Sequence, residues 1–486
     1  MPSNSVLPFL VAAILAIPCE PAVAQSGDPA PEAPAVESPI QPSDEHPFYW
    51  EYEGEPVVLI GGSDDDNLFQ WTGDRLTGHL DSLAAVGGNY VRNTMSDRDE
   101  DDVYAFAEVE EGVYDLDQWN EEYWDRLAFF LQETSERGII VQLTLWDHFD
   151  FHEGHPWHPE SNVNYGTDVV SDEGDFFGGS VLQENEELLV YQRRFVDKIL
   201  SISLRYGNVL YNINNEGSQP RAWDHYWASY LQKQAAEQGR EMFVTTMKFD
   251  PSSSVRRAMT DRDVYAYAEI SQNNQDSRGA RGPAHYSNVL TWRQKLEADP
   301  MPMNNVKIYG SGAGENNSAG TGKEATARLW KNVFAGAASA RFHRPEGGWG
   351  IGLNDHARAH LEAMSMLLEE FDVFDASPHP DLLSSSAGLP SASMEAYCLA
   401  EIGAAYAVYF PEGRYTIELD PWVYADSVRV RWLDIEEGTW SEPEVRPVTW
   451  EGGLDEWGHW GRVRLTTPSN GAAVALVEVV EMQEER

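Results

Sequence analysis

Short apolar runs recur along the first part of the chain: PVVLIGG from Pro56, GGNYVRN from Gly87, GIIVQLTLW from Gly138, NVLYNIN from Asn208, EMFVTTM from Glu241, VYAYAEI from Val264, NVKIYG from Asn305 and ASARFHR from Ala338. Most are separated by stretches such as WNEEYWDRLAFFLQETSERG and YWASYLQKQAAEQG, whose apolar residues fall at helical spacing. Continuous apolar strands alternating with amphipathic helices predict a parallel sheet covered on both faces. Eight such units predict an α/β fold, a (β/α)8 TIM barrel over residues 48–376. After the helix HARAHLEAMSMLLEEF the pattern changes to strands and turns: EAYCLAE, AAYAVYFPEG, RYTIELD, DSVRVRWLD, RVRLTTP and AAVALVEVV. That spacing predicts a small antiparallel β-sandwich over 377–486.

The N-terminal run VLPFLVAAILAIP is too short to span a bilayer and is followed by the small residues Ala22-Val23-Ala24. It reads as a secretory signal peptide over 1–24, and hence a secreted or periplasmic protein without a transmembrane helix. Residues 25–47 are rich in Pro, Ala and acid and predict an extended tether. With cleavage after Ala24 the mature chain keeps only Cys398, so no intramolecular disulfide forms and stability comes from burial. The 486 residues include 80 acidic and 34 basic side chains, a formal net charge of −46. Such a surface repels nucleic acid and anionic lipid, which excludes polyanion partners.

Candidate chemistry gathers at the ends of the predicted strands. Asn215-Glu216 closes the run NVLYNINNE. A carboxylic acid at the C-terminal end of a parallel strand, beside an amide able to bond a sugar hydroxyl, has the parts to protonate a glycosidic oxygen. Asp64, Asp65 and Asp66 follow strand one; Asp65 and Asp66 are candidate hydroxyl-binding groups there, or caps of the next helix. The loop WDHFDFHEGHPWHP offers Trp146, His148 and Trp157 for stacking on and bonding to a saccharide. Its four histidines would also suit a divalent metal, although no His-Glu-x-x-His motif or its inverse is present. Tyr309, His343 and Arg344 complete the candidate binding set.

The order of GGSDDDNLFQW, HPWHPESNVNYG, NNEGSQP and FAGAASARFHRP resembles the secreted β/α-barrel glycoside hydrolases related to apiosidases. The tail AYCLAEIGAAYAVYFPEGRYTIEL, RVRWLDIEEGTW and TTPSNGAAVALV resembles the collagen-binding-type β-sandwich that follows such barrels. The resemblance implies a carbohydrate substrate, no metal and no cofactor. It places the acid/base on the Glu after Asn at strand four, here Glu216, and the nucleophile on a Glu ending strand seven. Strand seven carries Lys307 and Tyr309 instead, with Glu315 in the following loop. Glu269, ending strand six, is the second candidate for the partner carboxylate, and a structural ion pair is its competing role.

These features predict a glycoside hydrolase acting on a polysaccharide or its oligosaccharides, with retention of configuration. Two other functions fit the same residues: a non-catalytic carbohydrate-binding or scaffold protein, and a metal-dependent hydrolase using the histidine-rich loop. The charge balance carries its own test. Salt screens repulsion among closely spaced carboxylates, so the melting temperature should rise from dilute buffer to molar sodium chloride; a flat response would contradict this reading.

Overall fold

The computed structural model describes residues 38–272, 283–310, 320–345, 348–385, 395–413, 416–422, 425–450 and 461–482. The expected signal peptide and Glu315 lie outside the described residues. Eight strand–helix units follow one another: β1 (Leu59–Ser63) and α1 (Gly73–Ala84), β2 (Tyr90–Thr94) and α2 (Glu121–Glu136), β3 (Ile140–Asp147) and α3 (Glu186–Ser203), β4 (Val209–Asn215) and α4 (Arg221–Glu237). The second half continues with β5 (Val244–Thr245) and α5 (Pro251–Thr260), β6 (Ala268–Glu269) and α6 (Pro283–Leu296), β7 (Met303–Asn304) and α7 (Gly322–Phe334), β8 (Ser339–His343) and α8 (Asp355–Glu370).

The parallel strands form a six-stranded sheet in the order β5-β4-β3-β2-β1-β8 and a two-stranded pair β6-β7. Backbone bonds bridge the two on both sides: Ala266 N–H donates to Val244 O at 3.0 Å, and Ala338 N–H to Met303 O at 2.9 Å. Asn residues cap the helices that follow. The side chains of Asn120, Asn185 and Asn354 accept from the first-turn N–H groups of α2, α3 and α8, each contributing about 1 kcal/mol.

Strand seven is shorter than the run NVKIYG predicts. Only Met303–Asn304 pairs as a strand, and Ile308 makes a single bridge to Phe342. The Asn305 side chain accepts the Lys307 N–H at 3.2 Å, a local turn that takes this donor away from the ladder. Residues 38–47 of the expected tether are packed rather than extended into solvent. Ile40 is buried and donates its N–H to Gly207 O at 2.8 Å, and Gln41–Pro42 pairs antiparallel with Trp50–Tyr52. Trp50 is fully buried, and its indole donates to Asn304 at 2.9 Å, which anchors this segment against the parallel strands.

The C-terminal strands are β9 (Tyr397–Glu401), β10 (Ala405–Phe410), β11 (Thr416–Leu419), β12 (Ala425–Asp434), β13 (Gly461–Thr466) and β14 (Ala473–Met482). One antiparallel sheet holds β9-β10-β14-β12 and another holds β11-β13. Alternation along β10 decides how they pack. Tyr406, Val408 and Phe410 enter a core shared with β11 and β13, whereas Ala407 and Tyr409 turn to the larger core. Tyr409 stacks on Trp330 of α7 with centroids 5.1 Å apart. Cys398 is buried within β9. Among the described residues no helix is long and apolar enough to cross a membrane.

Because Tyr409 ties β10 to α7 through Trp330, Tyr409→Ala should destabilise the chain by about 3–5 kcal/mol. Urea unfolding checks this; a change near zero would show that the interface with α7 carries no stability.

Candidate active site

The C-terminal ends of β1 to β4 converge on a closed ring of charged and amide side chains. Asp66, after β1, accepts from Arg92 of β2 at 2.9 Å. Arg92 also donates to the Asn215 amide oxygen at 2.9 Å. The Asn215 amide nitrogen donates to Asp147 at 3.1 Å. Asp147 pairs with Arg98 at 2.9 Å, and Arg98 returns to Asp66 at 3.7 Å. The strands set this arrangement: Asp147 and Asn215 are direct neighbours in the β3–β4 register. Arg344, after β8, adds a 2.7 Å bond to Asp66.

Lys307 reaches the same centre from the far side. Its ammonium donates to Asn215 Oδ1 at 2.7 Å and to Glu216 Oε1. The Lys307 side chain is 2% exposed and that of Glu216 10%, so the pair sits almost out of water with one edge open. Glu216 has φ +54°, the left-handed region, which costs a non-glycine residue of order 1 kcal/mol or more. The following Gly217 is obligatory for a different reason: a Cβ there would overlap the side chains of Asn214 and Gln219.

Burial alone would raise the Glu216 carboxyl, but the Lys307 ammonium, helped by Gln272 and Arg92, holds it down at about 2. Burial pulls the Lys307 ammonium down to about 8, against the attraction of Glu216. Both groups are therefore ionised at neutral pH. Asp66 shows the same competition: burial pushes up, while Arg92 and Arg344 outweigh it and hold the carboxyl well below its ordinary range. Asp65 goes the other way. Burial, with Asp66 and Asp99, lifts it to about 6, although it accepts from the Asp66 N–H at 2.7 Å and the Trp71 indole at 3.0 Å.

The other predicted site residues divide. Tyr309 and His343 meet edge to face with centroids 4.9 Å apart, next to this cluster, and burial keeps His343 neutral. His148 donates from Nδ1 to Asn215 O at 3.2 Å, leaving Nε2 as its acceptor side. Asn215 is in place, but its amide is committed to Arg92, Lys307 and Asp147 rather than open to a sugar hydroxyl. Trp146 and Trp157 do not form a stacking surface. Both are buried, among Phe176, Phe195 and Trp227, because alternation along β3 turns Trp146 away from the face that Asp147 occupies. Exposed rings near the strand ends are instead Phe149, 49% exposed with the Arg98 guanidinium 5.6 Å over it, and Trp349, 44% exposed.

Glu269 has hydrogen-bond partners other than Glu216. It is buried in the interior, accepting from Gln142 at 2.7 Å and from Ser271 N–H at 2.7 Å. Gln142 also accepts from the Tyr90 hydroxyl at 2.6 Å, and it lies five positions before Asp147 on β3, roughly 16 Å along a strand. Burial raises the Glu269 carboxyl. The hydrogen-bond partners of Glu269 are thus Gln142 and Ser271, while the Lys307 ammonium acts on it through space.

The histidines of the β3 loop do not converge. Asp97, Asp150 and His155 do lie together, with one donor atom from each within 4.8 Å of the others. However, the Trp157 N–H donates to His155 Nδ1 at 3.2 Å, so the neutral ring carries its hydrogen on Nε2, which faces Asp97 at 3.1 Å. That nitrogen offers no lone pair to a metal. His360, grouped with His356 and Glu436, is restricted in the same way by the Trp330 indole at 2.9 Å. The donor sets therefore do not fit a metal. The sequence expectations pass over Arg92 and Arg98; the signal for Arg92 is a cation inside a buried strand, whereas Arg98 lies in the loop after β2 and carries no such signal.

A scan of protein-family models and a search of curated proteins give no match to the chain. Solved structures do resemble it. A glycoside hydrolase matches with TM-score 0.60 at 12% identity, covering 91% of this chain and 97% of its own. A glycoside hydrolase family 5 structure from Bacteroides vulgatus ATCC 8482 matches with TM-score 0.61 at 12% identity, over 91% and 93%. A glycoside hydrolase family 5 mannosidase from Rhizomucor miehei matches with TM-score 0.50 at 14% identity, over 70% and 99%. At these identities the likeness is one of fold.

The Glu216–Lys307 pair predicts a titration shift. Lys307→Met removes the ammonium but leaves the burial, so the Glu216 midpoint should climb from about 2 toward or above its ordinary 4.5. Glu216 would then gain its proton at a higher pH than in the parent. Carboxyl-carbon NMR reads this directly, and an unmoved midpoint would mean that Lys307 does not set the charge of Glu216.

Proposed function

We propose that the protein is a glycoside hydrolase that cleaves glycosidic bonds in a polysaccharide or its oligosaccharides, with its chemistry centred on Glu216. The observation that carries this reading is the part-exposed Glu216 carboxylate, held beside Lys307 at the C-terminal ends of the parallel strands. We read the eight strand–helix units as a (β/α)8 barrel, whose catalytic groups sit at that end. The fold shared with glycoside hydrolases supports a carbohydrate substrate. The N-terminal apolar run ending at Ala22-Val23-Ala24 supports secretion, and the C-terminal sheets are read as an accessory sandwich that leaves the chemistry to the barrel.

In the free site Glu216 is a carboxylate, so it serves as a general acid only after Lys307 is separated from it. A saccharide entering between the two would do this, because the burial that raises the carboxyl remains while the ammonium is displaced. With Glu269 committed to the interior network, Glu315 is the partner carboxylate of this proposal, and retention of configuration is the expected outcome. One observation favours a second reading, a carbohydrate-binding protein without catalysis: Lys307 follows β7, where the resemblance places a nucleophile.

Purified protein should be screened against plant and algal polysaccharides, including mannans. Glu216→Gln keeps the shape of the side chain but cannot donate a proton, so turnover should fall by about a hundredfold or more. Proton NMR of the first product anomer decides between retention and inversion. Wild-type turnover in Glu216→Gln would remove the hydrolase reading, and saccharide binding without turnover in the parent would establish the second.

A further inference from the structure

A second depression opens beside the loop that follows Glu216. One wall is the helical turn Asp175–Gly179, which has π-helical bonding, and the other is Ser218–Pro220. The two approach closely: a Cβ added to Gly178 would sit 3.3 Å from Pro220 Cδ. Both walls are braced from behind. Gln192 donates to Phe176 O at 2.8 Å, Phe177 meets Trp223 edge to face with centroids 5.7 Å apart, and Lys248 donates to Gln219 O at 3.2 Å. Single-turn π segments often mark functional positions, and nothing in the chemistry at Glu216 uses this one.

The depression has a volume of about 310 Å3, at the small end of the roughly 300–1,000 Å3 range of small-molecule sites. Its lining is mixed: Phe177, Leu182 and Pro220 are apolar, while Glu173, Gln183 and Ser218 are polar. Among the described residues no lysine, arginine or histidine lines it, so they offer no charge complement for a phosphate, sulfate or uronate. A carboxylate and an amide beside an apolar patch suit a neutral ring with hydroxyls on its edge and C–H groups on its face. Ser218 follows Glu216 by two residues, which puts the depression next to the bond-breaking centre on the same strand end.

We propose that this depression is a binding subsite for one neutral sugar unit of an oligosaccharide chain whose neighbouring unit lies at Glu216. The inference rests on the hydrolase reading for its place in the reaction, but its binding test does not. Glu173 and Gln183 are exposed, so Glu173→Ala/Gln183→Ala removes the polar contacts without touching the core. The probes are β-1,4-manno-oligosaccharides and cello-oligosaccharides of two to six units, titrated by calorimetry into Glu216→Gln with and without the double substitution. Hydrolysis of the same series is followed with Glu216 intact.

The loss on double substitution should grow with chain length, reaching about tenfold in Kd and in KM for the longest probe, the effect of losing one good hydrogen bond. A loss that is the same at every length, no loss, or no binding of any probe by the parent would overturn the subsite. Length-dependent loss of binding in a parent that cleaves nothing would keep the subsite and reject the hydrolase reading. Cleavage of the probes with no response to the double substitution would do the reverse.

Discussion

The side chain of Asn215 is the pivot on which the site depends. Its amide oxygen accepts from Arg92 and Lys307 and its nitrogen donates to Asp147, so one neutral group on β4 joins a cation on β2 and a cation following β7 to an anion on β3. Burying an ion without a partner costs several kcal/mol. The ring escapes that cost only while every member keeps its place. The β3–β4 register, which sets Asp147 opposite Asn215, is therefore an electrostatic requirement as much as a packing one. A slip by one residue would turn Asp147 outward and leave Arg98 and Asn215 without it.

The same arrangement gives Glu216 its character. Asn215 holds the Lys307 ammonium in line, and the left-handed backbone at Glu216 carries the carboxylate back over the strand ends toward it. The chain as a whole is strongly acidic, yet here Arg92, Arg98, Arg344 and Lys307 meet Asp66, Asp147 and Glu216 within one network. Local pairing, rather than the net charge, decides which carboxylates are ionised. Burial pushes both Asp65 and Asp66 up; at Asp66 the Arg92 and Arg344 guanidinium groups outweigh it, while at Asp65 the neighbouring Asp66 and Asp99 add to it.

The alternation of apolar strands and amphipathic helices was legible in the sequence, because strand and helix periods follow from which faces are buried. The strands of the C-terminal sheets were legible for the same reason. The depth of a side chain was harder to see. Trp146 and Asp147 are adjacent in sequence, but the strand sends one into the aromatic core and the other to the ring, so a loop rich in aromatics read as a sugar platform when much of it is core. Glu269 ends a strand as Glu216 does, yet β6 stops short and leaves it among Gln142 and Ser271. Arg92 was invisible as a functional residue because its partners come from β1 and β4, far away in sequence. Lys307 was conspicuous in the sequence as the residue on strand seven where a carboxylate was expected, but only the structure shows that it reaches Glu216.

A cation after β7, where the sequence resemblance led to the expectation of a carboxylate, sets the logic of the site. Two carboxylates facing one another repel, and the repulsion raises one of them into the range where it can donate a proton. A carboxylate facing an ammonium does the opposite, since each stabilises the charge of the other, and the resting pair is a poor proton donor. Burial still opposes ionisation of both groups, and Glu216 and Lys307 remain charged only because they are in contact. Anything that parts them without admitting water leaves burial acting alone, which raises Glu216 and lowers Lys307. An empty site built in this way holds Glu216 as a carboxylate, and an occupant able to part the pair would raise it. The acidity of Glu216 then depends on occupancy, and the open edge beside it is where that occupant must enter.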